Sequence, residues 1–99
     1  MADGEARFVF VHLKAMPGIT FDQIKEKMSL SLNWFRLDGR TWILYTTSTG
    51  QKLRERLRPF VNNDPDQSGL VICDLDISTL EGWKPQHFWD FVNNPNRPS

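Results

Sequence analysis

The chain has 99 residues, 39% of them apolar and 24% charged, with twelve Lys plus Arg balanced by twelve Asp plus Glu. That length supports one domain around one core, and a formal net charge of zero argues against a dedicated duplex-DNA binder, whose affinity leans on a basic surface. The single cysteine, Cys73, excludes an intramolecular disulfide framework and makes a reducing, cytoplasmic setting the expectation, while no apolar run approaches the ~18 residues that a membrane span needs.

Residues 1–6 read as a flexible leader, and with Asp3, Glu5 and only a short apolar run the N-terminal stretch lacks the basic and apolar regions of a signal peptide. Arg7 to Leu13 (RFVFVHL) follows as a strand rich in β-branched and aromatic residues. Phe8, Phe10 and His12 share one face, and Val9, Val11 and Leu13 the other. Both faces are apolar apart from His12, so this strand belongs in the middle of a sheet. Met16-Pro17-Gly18 stops it. Thr20 and Gln23 then form a capping box for a helix that carries Phe21, Ile24 and Met28 on its apolar stripe and runs to about Ser29.

Asn33 to Leu37 and Thr41 to Thr47 read as two strands joined through Asp38-Gly39, the pair favoured where a tight hairpin needs positive φ. Ser48 with Gln51 repeats the capping-box spacing ahead of a second helix. Leu53, Leu57, Phe60 and Val61 lie on one arc of that helix, flanked by Lys52, Arg54, Arg56 and Arg58, and Pro59 falls near its end. Asn62 to Gly69 is a polar loop, and Leu70 to Leu75 (LVICDL) is the last strand.

The order β, α, β, β, α, β predicts an α+β, ferredoxin-like fold: a four-stranded antiparallel sheet with two helices on one face. The other face needs a cover. Trp83, Phe88, Trp89, Phe91 and Val92 can supply it as a short C-terminal helical or aromatic extension with Pro85 in its first turn, and a second subunit is the alternative. The domain is thus expected over residues 7–92, with 93–99 (NNPNRPS) as a disordered tail.

The first strand with its Pro-Gly stop, followed by LDGRTWILYTTSTGQKLRERLRPFVNNDPDQSGLVICDL, resembles the SinR-like proteins. These are the small ferredoxin-like group related to the CRISPR adaptation subunit, and not the helix-turn-helix repressor of the same name. The resemblance covers roughly residues 7–76. It rests on Thr41-Trp42-Ile43, Thr46 to Ser48, Leu53-Arg54 through Leu57, and Asn63-Asp64. It implies a homodimer and a role near nucleic acids. In the nuclease members an aspartate near the end of the first strand is proposed to hold a divalent metal, whereas this chain has Val11-His12-Leu13 there. Imidazole is a poor ligand for hard Mg²⁺, so the resemblance points away from metal-dependent cleavage.

Candidate chemistry is sparse. His12 lacks a Cys, His or acid at metal-ligand spacing, so its ordinary reading is structural. Asp74 and Asp76 share a side if the last strand is regular, as an acid pair or a cation site, or as charges that blunt a strand end. Arg40, Lys52, Arg54, Arg56 and Arg58 are candidate phosphate contacts, or a solvated face with buried stems. Cys73, among apolar neighbours, reads as a buried inert thiol. Four Trp and seven Phe exceed the needs of one small core, which makes Trp34, Trp42, Trp83, Phe88 and Trp89 candidate interface residues. The leading expectation is therefore a non-enzymatic, dimeric interaction module with no metal, cofactor or membrane partner. Its alternatives are a Mg²⁺-dependent nuclease and a non-catalytic nucleic-acid binder using the arginine-bearing helix.

Overall fold

Apolar side chains alternate on both sides of β1 (Arg7–Lys14), and both sides are covered over much of its length. A computed structural model of the chain describes residues 5–96. Its elements run β1, α1 (Phe21–Met28), β2 (Asn33–Arg36), β3 (Thr41–Thr46), α2 (Gly50–Leu57), β4 (Gly69–Asp74) and α3 (Gln86–Asn93). The four strands form one antiparallel sheet in the order β2-β3-β1-β4. This is the α+β, ferredoxin-like arrangement that the βαββαβ pattern predicts, with β1 and β3 central.

One face of the sheet packs Val9, Val11, Leu13, Trp42 and Leu44 against α1 and α2. Ile24 and Met28 come from α1, and Leu53 and Leu57 from α2, each pair four residues apart and so on one helical stripe. Truncating a side chain as enclosed as Leu53, which is 0% exposed, to alanine costs about 2–5 kcal/mol. Thr20 caps α1 through the reciprocal Thr20–Gln23 bonds expected of a capping box. Pro59 falls in a 3₁₀ turn, Arg58–Phe60, that ends the second helix and buries Phe60.

The opposite face has its own core. Phe8, Ile43, Phe88, Phe91 and Val92 are buried together, with Phe35 and Tyr45 packed at their margin. The C-terminal extension therefore folds back on its own sheet. Phe35 meets Phe88 edge-on at 5.0 Å and Phe8 meets Phe91 edge-on at 5.7 Å, a geometry that places positive ring edges on negative faces. Pro85 precedes α3 as its N-cap residue.

Several local expectations are corrected. The Asp38-Gly39 hairpin does not use positive φ, since Gly18 and Gly82 are the positive-φ residues among those described. Asp38 Oδ1 instead accepts from Arg40 N at 2.9 Å, and Leu37 N donates to Thr41 O at 2.8 Å, so a side chain closes the four-residue connection. The cap of α2 is Thr49, whose Oγ1 accepts from Lys52 N at 3.1 Å, rather than Ser48. Trp83 does not join the cover of the sheet: it is 99% exposed on the loop before α3. Asn93, expected in the tail, ends α3, and Pro95 accepts a bond from the buried Asn33. Residues 1–4 of the expected leader and 97–99 of the expected tail lie outside the described residues.

Candidate functional site

Strand register decides which chemistry-bearing side chains can meet. In an antiparallel pair, residues directly opposite each other point to the same face. His12 lies opposite Thr41 and Val71, on the face covered farther along by α3. Asp74 lies opposite Val9, whose side chain is in the core under α1 and α2. His12 and Asp74 therefore project from opposite faces of the sheet. Asp76 is not on the strand at all, because β4 ends at Asp74 and Asp76 caps a 3₁₀ turn, Ile77–Thr79. The three candidates do not converge within the chain.

Each has a local partner. His12 Nδ1 is 3.4 Å from Thr41 Oγ1. Asp74 accepts from Arg7 Nε at 3.1 Å. Asp76 accepts from Ser78 Oγ at 2.6 Å and Ser78 N at 2.9 Å, and those bonds, the side-chain one first, hold its carboxyl below the usual aspartate range. Among the described residues no group of three or more His, Cys, Asp or Glu is placed to hold a metal ion.

The arginines also separate. Arg56 Nη2 donates to Ser48 Oγ at 3.2 Å, while Arg7 Nη1 donates to Ser48 O at 2.6 Å, so two guanidinium groups hold the corner between β3 and α2. This is the role Ser48 takes in place of the helix cap. Arg58 donates to Val61 O at 2.6 Å and Asn63 Oδ1 at 3.1 Å, and so ties the loop after α2. Lys52 and Arg54 are exposed on α2, and Arg54 lines a groove beside β4. Arg40 sits in the β2–β3 hairpin and lines a separate pocket.

Of the candidate interface aromatics, Trp42 and Phe88 are 1% and 3% exposed and are spent in the chain's two cores. Trp42 stacks on Phe21 at 5.9 Å and meets Trp34 at 5.4 Å, and Trp34 is half-buried. Trp89 is half-buried against Phe88, leaving Trp83 fully exposed.

The largest departure from expectation is at β4. Cys73 is exposed rather than buried. Val71, on the same face, is 57% exposed. β4 is an edge strand, and α3 lies over the β2, β3 and β1 side of the outer face, so Val71 and Cys73 are left uncovered beside the half-buried Phe10 and His12. On the other face Leu70 and Ile72 are half-buried and, with Gly50, Gln51 and Arg54, line an open groove of about 360 Å³. Gly69 to Cys73 holds no charge and no Pro, so within this strand only its last residue, Asp74, is of a kind that blunts an edge.

No protein-family model matches the chain, and comparison with curated proteins and with solved structures gives no match. No helix among the described residues is long and apolar enough to cross a membrane.

Proposed function

We propose that this chain is a non-enzymatic assembly module of the SinR-like, ferredoxin-like kind, and that it forms a homodimer through β4. The carrying observation is the open edge of that strand, with Val71 and Cys73 exposed on one face and a groove bordered by Leu70 and Ile72 on the other. An edge strand presents a row of unpaired N–H and C=O groups, and an antiparallel copy related by a two-fold axis satisfies both rows at once. Apolar side chains on both faces then gain cover from the same event. Of the five aromatic residues considered for the interface, Trp42 and Phe88 are already buried within the chain, and this reading places the contact at β4. A metal-dependent nuclease has no convergent acid set within the described residues to build on. Binding to nucleic acid through α2 is weakened by the commitment of Arg56 and Arg58 to internal bonds.

Sedimentation equilibrium tests the proposal. The wild-type chain is expected to dimerise in the micromolar range. Val71→Lys, which places a charge in the middle of the edge, is expected to give a monomer with unchanged circular dichroism. A wild-type chain that stays monomeric at high micromolar concentration removes the dimer.

A further inference from the structure

The end of β1, the β2–β3 hairpin and the start of α1 enclose a pocket of about 390 Å³ that none of the preceding chemistry uses. Its size falls in the range of small-molecule sites, roughly 300–1,000 Å³. Ala15, Pro17, Ile19 and Phe21 give it an accessible apolar wall over the buried Leu13, Ile24 and Trp42, and Lys14, Arg36 and Arg40 are its charged lining residues. No aspartate or glutamate lines it, although the chain as a whole has equal numbers of acidic and basic residues. Three cations without a lining acid make a local positive field at a concave surface, which favours an anion.

Arg36 is fixed in position. Its guanidinium carbon lies 4.4 Å from the Phe21 ring centroid and 5.6 Å from that of Trp42, and its Nε donates to Asp38 O at 3.1 Å. Those contacts hold the group by its face and one edge, and leave the two terminal nitrogens without an acceptor among the described residues. A guanidinium fixed this way suits bidentate binding of a phosphate. Arg40 contributes backbone bonds to the hairpin, while its guanidinium has no ion-pair partner among the described residues. Lys14 Nζ is held at the rim by Asp66 O at 2.7 Å.

A second observation concerns the wall. Trp42 is 1% exposed and its Nε1–H is buried with no acceptor among the described residues. Buried donors in native proteins are overwhelmingly satisfied, and because this one has essentially no exposed surface it reports on the packing of the wall rather than offering a bond to a ligand.

We propose that this pocket binds a phosphomonoester carried on a flat, apolar body, as in a nucleoside monophosphate, with Arg36 and Arg40 on the phosphate and the body against the apolar wall. The ligand is a free nucleotide or the phosphorylated 5′ end of a strand, which share this chemistry. Its lining residues come from β1, the hairpin, the α1 region and Gln67 of the loop before β4, and none of them belongs to β4 itself.

Titration of the 15N-labelled chain at low salt with AMP, adenosine, inorganic phosphate and a 5′-phosphorylated tetranucleotide tests it. AMP is expected to shift the amides of Lys14, Gly39 and Arg40 and the indole Nε1–H of Trp42, with adenosine and inorganic phosphate each binding about tenfold more weakly because each lacks one half of the ligand. Tighter binding of the tetranucleotide than of AMP assigns the strand end as the source, and the reverse assigns the free nucleotide. Arg40→Glu is expected to weaken AMP binding by at least about tenfold with the melting temperature unchanged. Lys14→Gln, which keeps the hairpin untouched, is expected to weaken it in the same direction. No shifts at millimolar AMP, shifts confined to other residues, or full binding by both variants would overturn the proposal.

Discussion

Asn33 Nδ2 donates to the carbonyl oxygen of Pro95 at 3.1 Å, a bond between positions 62 apart in the chain. Asn33 begins β2, is 5% exposed, and also accepts from Trp34 N at 2.8 Å through Oδ1. Its amide thus anchors the chain just beyond α3 to one edge of the sheet that α3 covers. Asn33→Ala is expected to lower unfolding free energy by about 1–3 kcal/mol, because it leaves the part-buried Trp34 N and Pro95 O without this partner. Urea unfolding followed by tryptophan fluorescence measures this, and an unchanged midpoint would show that the anchor contributes nothing.

The outer core predicts a contrast between two aromatic residues only eight positions apart. Phe91 is 4% exposed and packs on Phe8 and Phe35, whereas Trp83 is 99% exposed. Phe91→Ala is expected to cost about 3–5 kcal/mol. Trp83→Ala is expected to stay within about 0.5 kcal/mol of wild type. Thermal or urea denaturation of both variants side by side is decisive, since equal losses would mean that α3 is not packed as described.

The fold was legible where local signals reinforce one another. Thr20 and Gln23 announced a helix start, alternation along Arg7 to Leu13 announced a central strand, and the element order named the sheet. The candidate site was not legible, because it depends on register and coverage. The spacing of Asp74 and Asp76 suggested a pair only on the assumption that the strand continued, and β4 ends between them. Cys73 looked buried from its apolar neighbours, but burial of an edge strand depends on how far a helix from elsewhere in the chain reaches. Ser48 and Thr49 are both competent caps, and the choice between them follows from the two arginines that hold Ser48.

Two glycines that look alike in sequence are expected to behave differently. Gly18 has φ of 94°, a region that costs an L residue roughly 1–2 kcal/mol. Gly39 lacks positive φ, and a Cβ there would meet Arg36 Nη2 at 3.6 Å, an ordinary contact. Gly18→Ala should therefore lower the melting temperature. Gly39→Ala should leave it unchanged or raise it slightly, since alanine also reduces the freedom of the unfolded chain. A fall in melting temperature for Gly39→Ala equal to that for Gly18→Ala would contradict the hairpin conformation.

The same hairpin carries a pH dependence. Asp38 has its carboxyl held below the usual aspartate value, chiefly by the bond from Arg40 N, with smaller help from Thr41. A folded-state pKa below the unfolded value of about 3.9 means that the group stabilises the native state above that pH and loses this contribution as pH falls through the folded value. The carboxyl is fully exposed, so the effect is screened and modest. Asp38→Asn keeps an oxygen to accept from Arg40 N but does not titrate. Wild type and Asp38→Asn are therefore expected to diverge on acidification, wild type losing stability relative to the variant below about pH 4. Urea midpoints measured from neutral to acid pH follow the difference directly. Parallel profiles would mean that the turn is held by its backbone bonds at Leu37 and Thr41, with the aspartate charge playing no part.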